Sequence, residues 1–240
     1  SFLPLQAQDY THDLTGITKV VLSVKTNVNL CAHEEPPFLI PEAENGRRKK
    51  PKEAAGLTSL TSLGEDNTNY GVEIKQEGNQ LIVTGLRDRR AGRLVIRLPK
   101  YLNISVEVLS NTNIYVEGFR SEIEAINRTG NITLKNITGP VVTENRSGKT
   151  LAVFTEINQA SPSSLVTTNG DITIRLPPTT NVTIRSQTPR GEFYTDFKIA
   201  VDQKRESTAY QRTITGLING GGISLDIQSV NGNIYLRKLE

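Results

Sequence analysis

Three aspartates, Asp171, Asp196 and Asp226, are the residues of this chain whose type could support hydrolytic chemistry. A pair of convergent carboxylates, one an acid and one a base or nucleophile, is the machinery of glycoside cleavage, and an extended β surface could bring them to a polysaccharide. Each of the three also fits a turn or a solvent-facing strand position, where Asp is favoured for its local hydrogen bonds to the backbone. We take the turn reading. The only histidines, His12 and His33, stand 21 residues apart in an arm and a loop. Neither a zinc set nor a Ser-His-Asp triad is expected from them. The single Cys31 excludes an intramolecular disulfide and reads as a small buried apolar residue. No catalytic, cofactor-binding or metal-binding residue is therefore expected.

The sharpest charge feature is Arg47-Arg48-Lys49-Lys50-Pro51-Lys52, five cations in six residues. Such a run reads first as a solvated loop. Its functional reading is contact with an anionic partner: an envelope polysaccharide, lipid headgroups or an acidic protein surface. The formal charge of +3 is too small, and nucleic-acid motifs too absent, for nucleic acid to be that partner. Asn-x-Ser/Thr occurs at Asn103, Asn127, Asn131, Asn136, Asn145 and Asn181. Turn asparagines followed by strand threonines produce that pattern without any glycan.

The elements that would position these residues are announced by one recurring stretch, Asn231-Gly232-Asn233-Ile234-Tyr235-Leu236-Arg237. Asn169-Gly170-Asp171-Ile172-Thr173-Ile174-Arg175 matches it closely, and Thr129-Gly130-Asn131-Ile132-Thr133-Leu134-Lys135 nearly as well. Asn111 to Glu117 lacks only the glycine, and Gly221 to Asp226 is a degenerate copy. Each is a tight turn, where Gly and Asn tolerate positive φ, feeding a strand with Ile, Leu or Val inside. Ile114, Ile132, Leu151 and Ile172 are spaced by 18, 19 and 21 residues. Periods of that size predict an all-β, single-domain parallel β-solenoid of short strands, in preference to an antiparallel sandwich. Ile114, Ile132, Leu151 or Val153, and Ile172 should stack in one interior column. With 36% hydrophobic residues, 5% aromatic and no Trp, the core must be mostly β-branched side chains and Leu, which suits a narrow interior.

Residues 1–240 read as one domain: 1–100 as N-terminal strands with an insertion at 31–69, and 101–240 as repeat coils. Within the first part, 1–16 is an arm, Ile17 to Leu30 a strand with a period of two, and Glu77-Gly78-Asn79-Gln80 a hairpin turn. Leu94 to Pro99 followed by Asn103 is echoed by Ile172 to Pro177 followed by Asn181, a sign of internal duplication. The glycines at 220–222 read as steric, because a phosphate loop needs a following helix. No apolar run of 18 residues and no secretory leader is present, and the absence of Met suggests a processed or trimmed chain.

Leu94 to Pro99, Thr195-Asp196-Phe197, Ile218 to Gly222 and Asn231 to Lys238 together resemble the bacterial DUF4097 family of adhesin-like proteins over roughly residues 70–238. That resemblance implies a parallel β-solenoid exported to the cell envelope, often as a lipoprotein or secreted protein and often in Bacteroidetes. It implies no established biochemical activity. The expected function is a non-catalytic envelope or surface scaffold whose partner is an envelope or host glycan or another surface protein. The alternatives are a structural, self-assembling solenoid and, more remotely, a carbohydrate-active enzyme. Charged or proline-bearing caps over the end coils would favour the binder, and bare strand edges would favour assembly.

Overall fold

Glycine at five of the corners lets successive coils approach closely enough to pair, and the strands on either side do the rest. The computed structural model describes residues 9–34, 37–45, 51–201 and 213–240, with the side chains of 87–91 outside that description. Its first strands are β1 (Tyr10–His12), β2 (Lys19–His33) and β3 (Phe38–Ile40). The short helix α1 (Glu42–Asn45) and the hairpin β4 (Ser59–Thr61) and β5 (Gly64–Asp66) precede β6 (Val72–Glu77) and β7 (Gln80–Pro99). Four two-strand coils follow: β8 (Asn103–Asn111) with β9 (Ile114–Glu117), β10 (Ile123–Thr129) with β11 (Ile132–Ile137), β12 (Val141–Ser147) with β13 (Thr150–Phe154), and β14 (Ser163–Asn169) with β15 (Ile172–Leu176). The C-terminal part holds β16 (Val182–Gln187), β17 (Phe193–Thr195), β18 (Ala200–Val201), β19 (Thr213–Ile218), β20 (Ser224–Asn231) and β21 (Ile234–Lys238).

These strands stack in parallel and in register as a two-faced solenoid, as the repeat predicted. One face runs β7, β2, β8, β10, β12, β14, β20, β16. The other runs through the second halves of β7 and β2, then β9, β11, β13, β15, β21, β17. The order in space is not the order in sequence. β2 lies between β7 and β8, and the coil of β20 and β21 lies between the coil of β14 and β15 and that of β16 and β17. The duplicated strand-proline units are the two places where the chain steps over a rung. Pro99 leads from β7 past β2 to β8, and Pro177 leads from β15 past β21 towards β16. The turns match as well, since Leu102 N–H donates to Pro99 C=O at 3.1 Å and Thr180 N–H to Pro177 C=O at 3.0 Å.

Alternate residues of each strand face inward and form one continuous core from Ile17 to Leu236. The interior column is Val28, Ile114, Ile132, Thr150, Ile172, Ile234. This corrects the expectation that Leu151 or Val153 would occupy the fourth place, because both are part-exposed on the outward side of β13. Ser147-Gly148-Lys149-Thr150 is the corner motif there, disguised by Lys for Asn and Thr for Ile. Thr150 is admitted because its hydroxyl pairs with that of Thr167 at 3.2 Å, which removes the cost of burying it. Two sequence strands, Leu81 to Leu86 and Leu94 to Pro99, are one strand, β7, with a register shift at its corner. The arm contains β1, and the segment read as an insertion supplies β3, which pairs antiparallel with β1 and meets β7 at Leu39 and Arg97.

Antiparallel strands close the ends of the parallel stack. β6 covers β7 through the predicted hairpin at Gly78, and β19 with β18 covers β16. Asparagine side chains then imitate a further strand. Asn67 donates to Ile74 C=O at 2.8 Å and accepts Ile74 N–H at 3.0 Å. Asn45 does the same for Val95, at 2.9 and 2.7 Å.

The corner glycines form a column of their own. A Cβ at Gly130 would lie 2.1 Å from Thr112 O, at Gly148 2.0 Å from Gly130 O, at Gly170 2.0 Å from Gly148 O, at Gly232 2.1 Å from Gly170 O, and at Gly191 2.0 Å from Gly232 O. Gly148 also has φ of +134°, whereas Gly78, at +61°, has nothing within 4 Å of its would-be Cβ. Gly148→Ala should therefore cost at least ~3 kcal/mol, and Gly78→Ala only the ~1–2 kcal/mol of a left-handed alanine. Urea titration of both variants checks this, and equal midpoints would contradict the close-approach account.

Candidate binding surface

The corners are held by a ladder of side-chain to backbone hydrogen bonds, and one of the candidate carboxylates, Asp171, belongs to it. At five corners an Asn or Asp offers its side-chain oxygen to a backbone N–H one rung away. Asn27 accepts Asn113 N–H at 2.9 Å, Asn113 accepts Asn131 N–H at 2.8 Å, and Asn131 accepts Lys149 N–H at 2.9 Å. Asp171 accepts Asn233 N–H at 2.9 Å and Asn233 accepts Glu192 N–H at 2.9 Å. Asp171 is thus one rung of an amide ladder. Asp196 accepts Lys238 N–H at 2.9 Å, and both oxygens of Asp226 accept the Ser224 hydroxyl at 3.1 Å. The three carboxylates belong to a corner, a loop and an outward strand position.

Two of the Asn-x-Ser/Thr asparagines are held inside the stack. Asn127 and Asn145 are buried, and their amides donate to Thr112 C=O at 2.9 Å and Gly130 C=O at 3.0 Å. Ser229 and Thr188 serve Gly170 C=O and Gly232 C=O likewise, each at 2.9 Å. His12 lies in β1, and the His33 ring contacts Pro37 O at 3.1 Å. Among the described residues no group of three His, Cys, Asp or Glu side chains gathers to hold a metal. Cys31 departs from expectation. It is part-exposed on the outward row between Arg97 and Glu117. Burial of the thiol and the neighbouring Glu117 push its pKa up, which keeps it protonated and unreactive. Of the basic run, Arg47, Arg48, Lys49 and Lys50 lie outside the described residues, and Lys52 is exposed at the start of a short 3-10 turn.

What remains available is the outward side chains, arrayed in rows one rung apart, about 4.8 Å. On the first face one row reads Ser23, Glu107, Ile126, Glu144, Val166, Gln228, Gln187. Beside it a shallow groove of about 360 Å³ runs between Glu107, Leu109, Ile126, Arg128, Glu144 and Arg146. On the second face one row reads Asn29, Tyr115, Thr133, Leu151, Thr173, Tyr235, Tyr194. The neighbouring row places Glu117 against Lys135 and Arg175 against Arg237. Tyr115 donates its hydroxyl to Glu117 at 2.7 Å, and that bond to a carboxylate holds its pKa up at about 12. Periodicity alone predicted outward Thr, Asn, Arg and Lys. It missed the tyrosines, whose alignment depends on coils far apart in sequence.

A parallel β-solenoid of two-strand coils with capped ends and rung-spaced outward rows is the class that this geometry defines. Residues 103–237 match the profile of the Toastrack DUF4097 family, and the chain belongs to that family. The matched span begins with β8 and ends within β21, so the resemblance noted from residue 70 reaches further than the profile does. No curated protein matches the chain in sequence. Among solved structures it is similar to "a putative cell adhesion protein" from Clostridium sporogenes ATCC 15579, with 13% identity, 97% of this chain and 98% of that chain covered, and a TM-score of 0.49. It is also similar to "a putative adhesin" from Bacteroides fragilis NCTC 9343, with 12% identity, 97% and 95% covered, and a TM-score of 0.45.

If Asp171 is a ladder acceptor, an amide oxygen serves as well as a carboxylate. Asp171→Asn should leave stability within ~0.5 kcal/mol of wild type, and Asp171→Ala should lose ~1 kcal/mol or more by orphaning the Asn233 N–H. Thermal and urea denaturation distinguish them. A large loss in Asp171→Asn would show that the charge itself matters.

Proposed function

We propose that this protein is a non-catalytic component of the bacterial cell envelope or surface, a binding scaffold of adhesin type. The observation that carries this reading is that Asp171, Asp196 and Asp226 are held apart in separate hydrogen bonds, while both outward faces offer long in-register rows. We read residues 1–240 as one structural unit and expect the partner to be an envelope or host glycan or another surface protein. Among the described residues no helix is long and apolar enough to cross a membrane. The basic residues Arg47, Arg48, Lys49, Lys50 and Lys52 are proposed as an electrostatic contact to an anionic partner. Replacing all five with Ser should weaken retention on immobilised acidic polysaccharide or anionic vesicles, and raised salt should weaken the wild type in the same way by screening. Equal retention of both proteins at low salt would remove this loop from the binding surface.

The alternative reading is a structural, self-assembling solenoid. It is favoured by β17, whose outer edge has no strand partner among the described residues. The remaining edges weigh against it, because antiparallel strands and the Asn45 and Asn67 amides occupy the positions that another chain would need. The protein should therefore sediment as a monomer, and Asn45→Ala with Asn67→Ala should shift it towards oligomers or aggregates. Concentration-dependent filaments of the wild type in analytical ultracentrifugation would favour assembly instead.

A further inference from the structure

The outward aromatic row of the second face ends in a small site of mixed chemistry. Tyr194 of β17 stacks on Tyr235 of β21, with ring centroids 5.4 Å apart and planes 12° from parallel. Tyr235 is fixed in turn, because Asn233 donates to its hydroxyl at 3.1 Å and the Arg237 guanidinium lies 5.8 Å from its ring centroid. Tyr194 is 50% exposed, and no other ring stacks on it among the described residues. Beside it an open cleft of about 290 Å³ is lined by Tyr194, Thr195, Asp196 and Arg237. Asp196 is oriented there by Lys238 N–H, which one carboxylate oxygen accepts at 2.9 Å. Behind Arg237, one rung inward, stands Arg175.

Arg175 and Arg237 are both exposed, and neither has an acidic partner among the described residues. Like charges directly opposite on paired strands are destabilising, and the Glu117–Lys135 pair in the same row avoids that cost. An arginine pair without a counterion is an arrangement that an external anion stabilises, because guanidinium and carboxylate match in bidentate geometry. The open ring of Tyr194 asks for something flat with an apolar face. Asp196 asks for hydroxyl or amide donors, and it repels a ligand that carries only negative charge, such as a phosphate or sulfate chain. A neutral sugar would leave the arginines uncompensated.

From this combination we propose that the cleft between Tyr194, Asp196 and Arg237 binds a carboxylated sugar ring of the uronic acid type, within an acidic polysaccharide. The C–H face of the ring packs on Tyr194, its hydroxyls donate to Asp196, and its carboxylate pairs with Arg237. Arg175 takes the carboxylate of an adjoining sugar. The proposal rests on the binding-scaffold reading and gives that scaffold a ligand class and a location.

Isothermal titration calorimetry with trigalacturonate, with maltotriose as the neutral control and a single-stranded oligothymidylate as the polyanion control, tests it. Wild type should bind trigalacturonate at least tenfold more tightly than either control. Tyr194→Ala and Arg237→Gln should each weaken binding at least fivefold with melting unchanged, Tyr194→Phe should retain it, and Arg128→Gln on the opposite face should have no effect. A preference for the oligothymidylate, or equal affinity in wild type, Tyr194→Ala and Arg237→Gln, overturns the site. If wild type ignores trigalacturonate yet is retained on cell-envelope polysaccharide, the subsite is wrong and the scaffold reading stands. If it binds neither, the subsite falls and a glycan is not the scaffold's partner.

Discussion

The fold depends on a contact between backbones: at five successive corners the carbonyl of one coil sits where the next coil's Cβ would be. At 2.0 to 2.1 Å from that oxygen no side chain carbon fits, so Gly130, Gly148, Gly170, Gly232 and Gly191 recur in one column. With the corners this close, strands on both faces reach pairing distance at once and in the same register. The closeness also sets what lies beside the glycines. The corner carbonyls are shielded from solvent on the inside and need donors, which Asn127, Asn145, Ser229 and Thr188 supply. The next backbone N–H needs an acceptor, which the Asn or Asp after the corner supplies. A polar interior beside an apolar one follows from the corner geometry.

Both sequence ends of the solenoid are threaded inward. β2 is gripped between β7 and β8, and the final coil between its neighbours on either side, so the outermost rungs are made of internal chain. A terminal rung in an ordinary solenoid frays, since it has neighbours on one side only. Here the fraying segments gain a partner on both sides, and β7 and β16 are covered by the antiparallel strands β6 and β19, which cannot continue the parallel stack, while β17 has no outer strand among the described residues. The cost is topological: β2 pairs with residues 61 to 86 positions away, contacts that close long loops and form slowly.

Much of this was legible in the sequence, and the rest fails for identifiable reasons. The corner motif shows because glycine and asparagine have few substitutes at those positions, and the hairpin at Gly78 shows because its turn is local. The column was misread at one place because apolar identity was followed instead of the glycine. Gly148 marks the corner, Thr150 is the inward residue, and a buried Thr–Thr hydrogen bond is invisible to periodicity. Gly191 escaped notice because Arg190 and Glu192 replace the flanking asparagines. The order of rungs could not be read, since inserting β2 or β20 elsewhere would satisfy the same alternation. For the surface, sequence adjacency drew attention to the cations at 47–52, whereas the Tyr194–Tyr235 stack joins residues 41 apart that meet only because the final coil is inserted.

The same geometry explains why this chain looks chemically suggestive on paper. Solenoid corners require short side chains with hydrogen-bond acceptors, a need met by Asn27, Asn113, Asn131 and Asn233 and equally by Asp171, so a carboxylate can stand in a regular series without being catalytic. Regular recurrence mimics convergence in sequence. In space it means the opposite, because residues one rung apart at a corner lie along the stack and each is committed to the backbone of its neighbour. Freedom to bind belongs to positions the ladder does not need, which are the outward ones away from corners and the end of the stack. At β17 the ladder runs out, leaving Tyr194 with one stacking partner where an interior rung would have two. An architecture that commits its corner polar groups to the ladder leaves recognition to the outward rows and to the end where its repeat terminates.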